Sequence, residues 1–277
     1  MKMTEIIRDA FLFPSKNTGR FAMYLLLEVL LAGFLFGGIF TYAQGFLNAE
    51  NFLIGGIYVI IAFLFGIIIM GYNIKVIKSG INREDTLPVF ELYENFMTGF
   101  DNLAVFIAYS IIPALIILLV AHETHLFTNT MAILREVVLQ LFNIYIVGSS
   151  VDIAFNALSP LITSFINSLA ITIAVALVLS IIFSILYFMA ESRLAKTGSL
   201  SDALNIFESL KDVAKIGVCR VIGLAFLVLL IIVIIEIVLI TVLSFYPFLL
   251  SILDIIITPY LFLVTQRALG LLYSDID

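Results

Sequence analysis

The chain has 277 residues, 62% hydrophobic and 12% charged, with a formal net charge of −6 and a mean hydropathy of +1.19. Soluble domains run nearer to about 45–50% apolar and about 25% charged, so this composition excludes a soluble globular fold, a coiled coil, a collagen, a disordered chain and a disulfide-rich secreted scaffold. The single cysteine, Cys219, excludes an intramolecular disulfide and any CxxC site, and the acidic balance offers nothing to a nucleic-acid partner.

A spanning helix needs about 20 mostly apolar residues to cross about 30 Å of hydrocarbon. Six stretches meet this: 21–43, 52–74, 103–121, 165–190, 217–243 and 248–266. The fold class this predicts is all-α: a polytopic bundle of six transmembrane helices forming a single integral membrane domain over 1–277. The first stretch follows a charged leader and is longer than the roughly 7–15 apolar residues of a cleaved signal, so it reads as a span. Residues 131–147 are apolar enough to suggest a seventh. Arg135, Glu136, Gln140 and Asn143 fall on one helical face there, which predicts an amphipathic surface helix within an outer region, 122–164.

Orientation follows from the basic residues. With the N-terminus inside, 13 of the 14 Lys and Arg lie on the cytoplasmic side and only Arg135 lies outside. Positive residues resist translocation, so both termini are expected in the cytoplasm of a cell-membrane protein.

A polar, helix-compatible segment precedes each odd-numbered span, near 4–13, 87–97 and 200–210. Thr4 and Ser201 read as N-caps and Pro88 as a first-turn residue. The chain can thus be divided into three units of amphipathic helix plus hairpin.

The loop after the second span holds Gly71, Tyr72, Lys75, Lys78, Glu84, Asp85, Leu87, Pro88, Phe90 and Gly99 in order. This pattern resembles a prokaryotic multi-pass membrane family, common in archaea, known as domain-of-unknown-function family 4013. A second stretch, 195–203, is also similar to that family. The resemblance implies a membrane protein and carries no mechanism. From the residues alone, Lys75 and Lys78 complement a helix C-terminus and, with Arg83, can contact lipid phosphates or a partner. Gly80 reads as the helix stop.

Three acids lie inside spans: Glu28, Glu236 and Asp254. An ionisable group in hydrocarbon is costly unless protonated or partnered, so each is a candidate ion or proton site. Glu236 and Asp254 fall at similar depth either side of a turn near Tyr246 and Pro247. His122 and His125 lack the spacing and the third ligand of a metal site, and no metal or cofactor is expected. Gly33, Gly37, Gly66 and Gly71 suggest close packing in the first hairpin; Pro113 and Pro259 sit inside spans; Cys219 reads as a small buried packing residue. With no Walker motif or nucleophile elbow, the expected function is non-enzymatic: membrane organisation or partner binding, with the lipid bilayer, other proteins or a second copy as partners. The alternative is a small secondary transporter or channel built on the acids. Reporter fusions after Asn48, Asn129 and Tyr246 should read outside, and those after Arg83, Thr197 and Asp277 inside. An inside signal at Asn129 would overturn this topology.

Overall fold

The computed structural model describes residues 1–45, 49–147 and 151–276, with side chains for all of these except 49, 143, 147 and 151–157. Asn48, Asp277 and the side chain of Asn143 lie outside the described residues. The described chain is helical almost throughout, with no strand. The helices are α1 (Met3–Leu12), α2 (Thr18–Gln44), α3 (Ala49–Ile81), α4 (Leu92–Glu123), α5 (Leu126–Phe142), α6 (Val151–Thr197), α7 (Leu200–Ala203), α8 (Ile206–Ile216), α9 (Val218–Leu243) and α10 (Pro247–Tyr273). Six of them, α2, α3, α4, α6, α9 and α10, are long and apolar enough to cross a membrane. This is a multi-pass transmembrane protein.

The chain falls into two compact units, Met1–Ile107 with Ile185–Asp277, and Ala108–Ser184. In the first, α2 packs along α3, α3 along α10, and α1 lies against α10. Their shared core holds Phe13, Tyr24, Leu27, Ile68, Ile69, Tyr72, Val76, Leu87 and Leu263. Helix α1 reaches it because Ile6, Ala10 and Phe13 recur at three-to-four spacing and are all fully buried. In the second unit the end of α4 and the start of α5 are tied to α6 by hydroxyls: Ser168 Oγ donates to the Thr124 carbonyl at 2.6 Å, and Asn129 Nδ2 donates to Ser168 Oγ at 2.8 Å. The segment expected to form a surface helix over 131–147 is helical from Leu126 to Phe142, as α5, and closes in a π-helical turn at Asn143–Val147. Nothing on α5 is buried within the protein, and Gln140 donates to Glu136 along its polar face at 2.6 Å.

Several local expectations are corrected. The cap of α1 is Lys2, not Thr4. The 200–210 segment is broken after Ala203: Ser199 caps α7 and Asn205 caps α8, each accepting from a backbone N–H three residues on. Pro88 lies outside α4, which starts only at Leu92, because Leu87 is drawn out of helical geometry into the core. Helix α3 runs through Gly80 to Ile81, with Arg83 turning the chain at φ 58°. Cys219 is exposed; it lies on the outward face of α9, opposite Val221, Leu224 and Val228.

The glycines do different work from that expected. Gly33 has open space around it, and the first hairpin closes instead at Gly38, where an added Cβ would lie 3.0 Å from Tyr58 and Val59, and at Gly55, where one would lie 2.5 Å from the Tyr42 backbone nitrogen. Gly71 belongs to another crossing. A Cβ there would fall 1.7 Å from the Asn95 carbonyl oxygen, and one at Gly99 would fall 1.9 Å from that of Ile67. These two residues let α3 and α4 meet backbone to backbone. Gly80 and Gly270 do the same for α3 and α10, where a Cβ on Gly270 would sit 2.2 Å from the Ile77 carbonyl oxygen. Gly71→Ala should therefore destabilise the protein by about 3 kcal/mol or abolish folding, since backbone cannot give way as a side chain can. Gly33→Ala should stay within about 0.5 kcal/mol of wild type. Denaturant unfolding in detergent micelles checks both, and equal losses at the two sites would refute the crossing.

Candidate functional site

Charged and polar side chains gather at the end of the first unit that carries both chain ends. Arg267 on α10 is only 1% exposed. Its Nε donates to Asp9 Oδ1 on α1 at 2.9 Å, its Nη1 donates to the Ser79 carbonyl on α3 at 2.8 Å, and its guanidinium lies 4.1 Å from the centre of the Phe13 ring. Tyr260 Oη also donates to the Phe11 carbonyl. One buried cation thus fixes three helices.

The loop between α3 and α4 is held from below. Tyr72 Oη donates to the Pro88 carbonyl at 3.2 Å, and Arg20 Nη1 donates to that of Leu87. Lys75 Nζ bonds Glu91 at 2.7 Å and Glu94 at 2.5 Å. Lys16 reaches Asp85 at 3.4 Å. Arg83 pairs with Asp275 at 3.2 Å. Of the three residues read as lipid or partner contacts, Lys75 and Arg83 have acids within the protein, and Lys78 is exposed.

Asp275 closes the chain ends together. It accepts from the N-terminal ammonium at 3.0 Å, from Arg83, and from Arg220 Nη2 at 2.5 Å. Burial alone would push its carboxyl up, but the N-terminal ammonium and Arg220 outweigh that and hold it below the usual carboxylate range.

Of the acids singled out inside spans, Glu28 is half-buried and hydrogen-bonded by Tyr24, whose hydroxyl also reaches Asn73 Oδ1 at 3.3 Å. Glu236 is half-buried and Asp254 exposed. Asp254 Oδ1 accepts from Thr258 one turn along its own helix at 3.1 Å. Among the described residues no hydrogen bond joins Glu236 to Asp254, and no group of three or more His, Cys, Asp or Glu is placed to hold a metal ion.

A fourth acid is more enclosed. Glu191 on α6 is buried. Its Oε1 accepts from Asn102 Nδ2 at 2.9 Å and from Tyr187 Oη at 2.7 Å, while its Oε2 has no partner among the described residues. Asn95, seven residues before Asn102 on the same face of α4, is fully buried with both side-chain polar atoms unpartnered. Buried polar groups without a protein partner are uncommon.

The family model for "Protein of unknown function (DUF4013)" matches residues 54–248. The chain belongs to this family. No curated protein and no solved structure matches it. In this DUF4013 member the match covers the α3–α4 crossing, the loop with Lys75 and Leu87, and the Glu191 cluster. It leaves out Asp9, Arg267 and Asp275.

Sequence reasoning missed Glu191 because the fourth span was ended at residue 190, which put the acid outside hydrocarbon. A signal existed: Asn95, Asn102 and Tyr109 repeat every seven residues on α4, and Tyr187 and Glu191 stand one turn apart on α6.

The clasp around Asp275 has a definite pH dependence. A depressed folded-state value means its stabilising contribution is complete above the unfolded value, about 3.9. That contribution is lost as pH falls through the folded value. Thermal unfolding in detergent should show up to about 1 kcal/mol of stability lost in Asp275→Asn near neutrality, and the variant should lack that part of wild-type acid sensitivity below about pH 4. Identical acid profiles for the two proteins would refute the clasp.

Proposed function

We propose that this protein is non-enzymatic, sits in the cell membrane with both termini in the cytoplasm, and organises the membrane by binding other proteins, or a second copy of itself, through its helix faces. The observation that carries this is Asp254. It lies about 10 Å along α10 at 1.5 Å per residue, exposed on a stretch where Ile252, Ile255 and Ile256 are exposed as well, so that little of the helix circumference there is covered. Its one described partner is Thr258. A carboxyl turned to hydrocarbon is costly, and an adjoining helix that supplies a donor removes most of that cost. The charged residues at the terminal end meanwhile pair largely with one another, so the apolar helix faces are the surface left for recognition.

The alternative, a small transporter or channel with an acidic cation or proton site, is favoured by a different residue from those first singled out. Glu191, with Asn102 and Tyr187, is the acid enclosed by polar groups from two helices, whereas Asp254 faces outward.

Cysteine crosslinking in native membranes separates the readings. In a Cys219→Ser background, Ile255→Cys should form a crosslinked species, and adding Asp254→Leu should reduce it about tenfold, equivalent to about 1.4 kcal/mol of association. A crosslink that ignores Asp254, or none at all, would sink the partner reading. Cation- or proton-coupled flux in reconstituted vesicles that is lost in Glu191→Gln would establish the alternative.

A further inference from the structure

A helix in water turns apolar side chains inward and polar ones outward. Helix α8 does the reverse over part of its circumference. Ser209 and Asp212 are buried alongside Val213 and Ile216, while Phe207 is 76% exposed and Leu210 47%. Ala214 is exposed between them. At about 100° per residue, Leu210, Ala214 and Phe207 make one outward strip, and Lys211 and Lys215 make its next edge. Both lysines are more than half exposed, though each also meets an acid on its own helix, Glu208 at 2.6 Å and Asp212 at 3.9 Å.

The rotation of α8 is locked. Asp212 accepts from Arg193 Nε at 3.0 Å and from Tyr273 Oη at 2.6 Å, so the outward strip cannot turn inward without breaking a buried ion pair. Gly217, at φ 97°, then turns the chain directly into the spanning helix α9. Helix α8 therefore ends where a membrane-crossing helix begins, which puts the strip at the level of the leaflet surface.

The geometry points to α8 as an interfacial helix that sinks the strip of Leu210, Ala214 and Phe207 into the adjoining leaflet and sets Lys211 and Lys215 against anionic phospholipid headgroups. Lysine stems can lie along apolar surface with the ammonium at the phosphate level. An apolar strip beside a basic edge is the pattern that binds an anionic leaflet. The start of α4 repeats the inversion, with Asn95 buried and Tyr93 and Met97 exposed. This surface lies outside the spans, and its test does not depend on the role given to Asp254.

The chain contains no tryptophan, so Phe207→Trp gives a single reporter, with Leu210→Trp as a second should the first fail to fold. Each would be reconstituted into nanodiscs of phosphatidylglycerol carrying brominated acyl chains. Emission should fall about twofold in the brominated lipid and be protected from aqueous iodide. Replacing the anionic lipid by phosphatidylcholine, or combining the reporter with Lys211→Gln and Lys215→Gln, should weaken the bromine quenching. Quenching by iodide and not by bromine would overturn the proposal, as would shielding from both quenchers, the result expected if protein covers the strip. Bromine quenching that is indifferent to headgroup charge and to the lysines would overturn the headgroup contact.

Discussion

A guanidinium cannot be buried alone: removing one partner of a buried ion pair typically costs about 3–5 kcal/mol. Arg267 therefore dictates what must surround it. Asp9 has to come from α1, the Ser79 carbonyl from α3, and the Phe13 ring has to close over the cation. The carbonyl is within reach because Gly80 and Gly270 remove the side chains that would keep α3 and α10 apart. Once α1 is fixed, Phe13 enters the core beside Tyr24, Tyr72 and Leu87, and the α3–α4 loop has a surface to fold against. The apolar packing supplies most of the burial. The cation decides which arrangement is allowed, because any other would leave a charge unpaired.

The family pattern in the loop has the same logic. Gly71 and Gly99 are far apart in sequence, yet both serve the contact between α3 and α4. Lys75 holds the first turn of α4 through Glu91 and Glu94, Tyr72 bonds the Pro88 carbonyl, and Leu87 fills the core. A pattern that looks like a ligand loop when read along the chain is, in three dimensions, the means by which a hairpin is made to pack on its neighbour.

The six spans were legible because a run of 20 apolar residues has few other uses, and the last turn was legible at Tyr246 and Pro247 because proline opens a helix readily. Which face of each span meets protein was not legible. In water, hydrophobicity separates core from surface; in a bilayer both sides of a helix are apolar, so the contrast vanishes and small residues and polar partners decide. Hence Gly33 and Gly71 look equivalent in sequence, and only one meets another backbone. Cys219 was misplaced for the same reason. The helix caps at Lys2, Ser199 and Asn205 and the displacement of Pro88 depend on where Ile6, Leu87 and Asp212 are pulled by distant partners, and no local pattern reports that.

The carboxyls show how one constraint yields three outcomes. Glu28 takes a hydrogen bond from Tyr24 one turn away, so its needs are met largely within its own helix. Glu191 draws on Asn102 and Tyr187, and its burial requires that α4 and α6 come together. Asp254 has Thr258 and is otherwise exposed, on a stretch of α10 whose isoleucines are exposed too. The first arrangement is complete in one helix and the second in one folded unit. By the same physics, a second chain is what would complete the third.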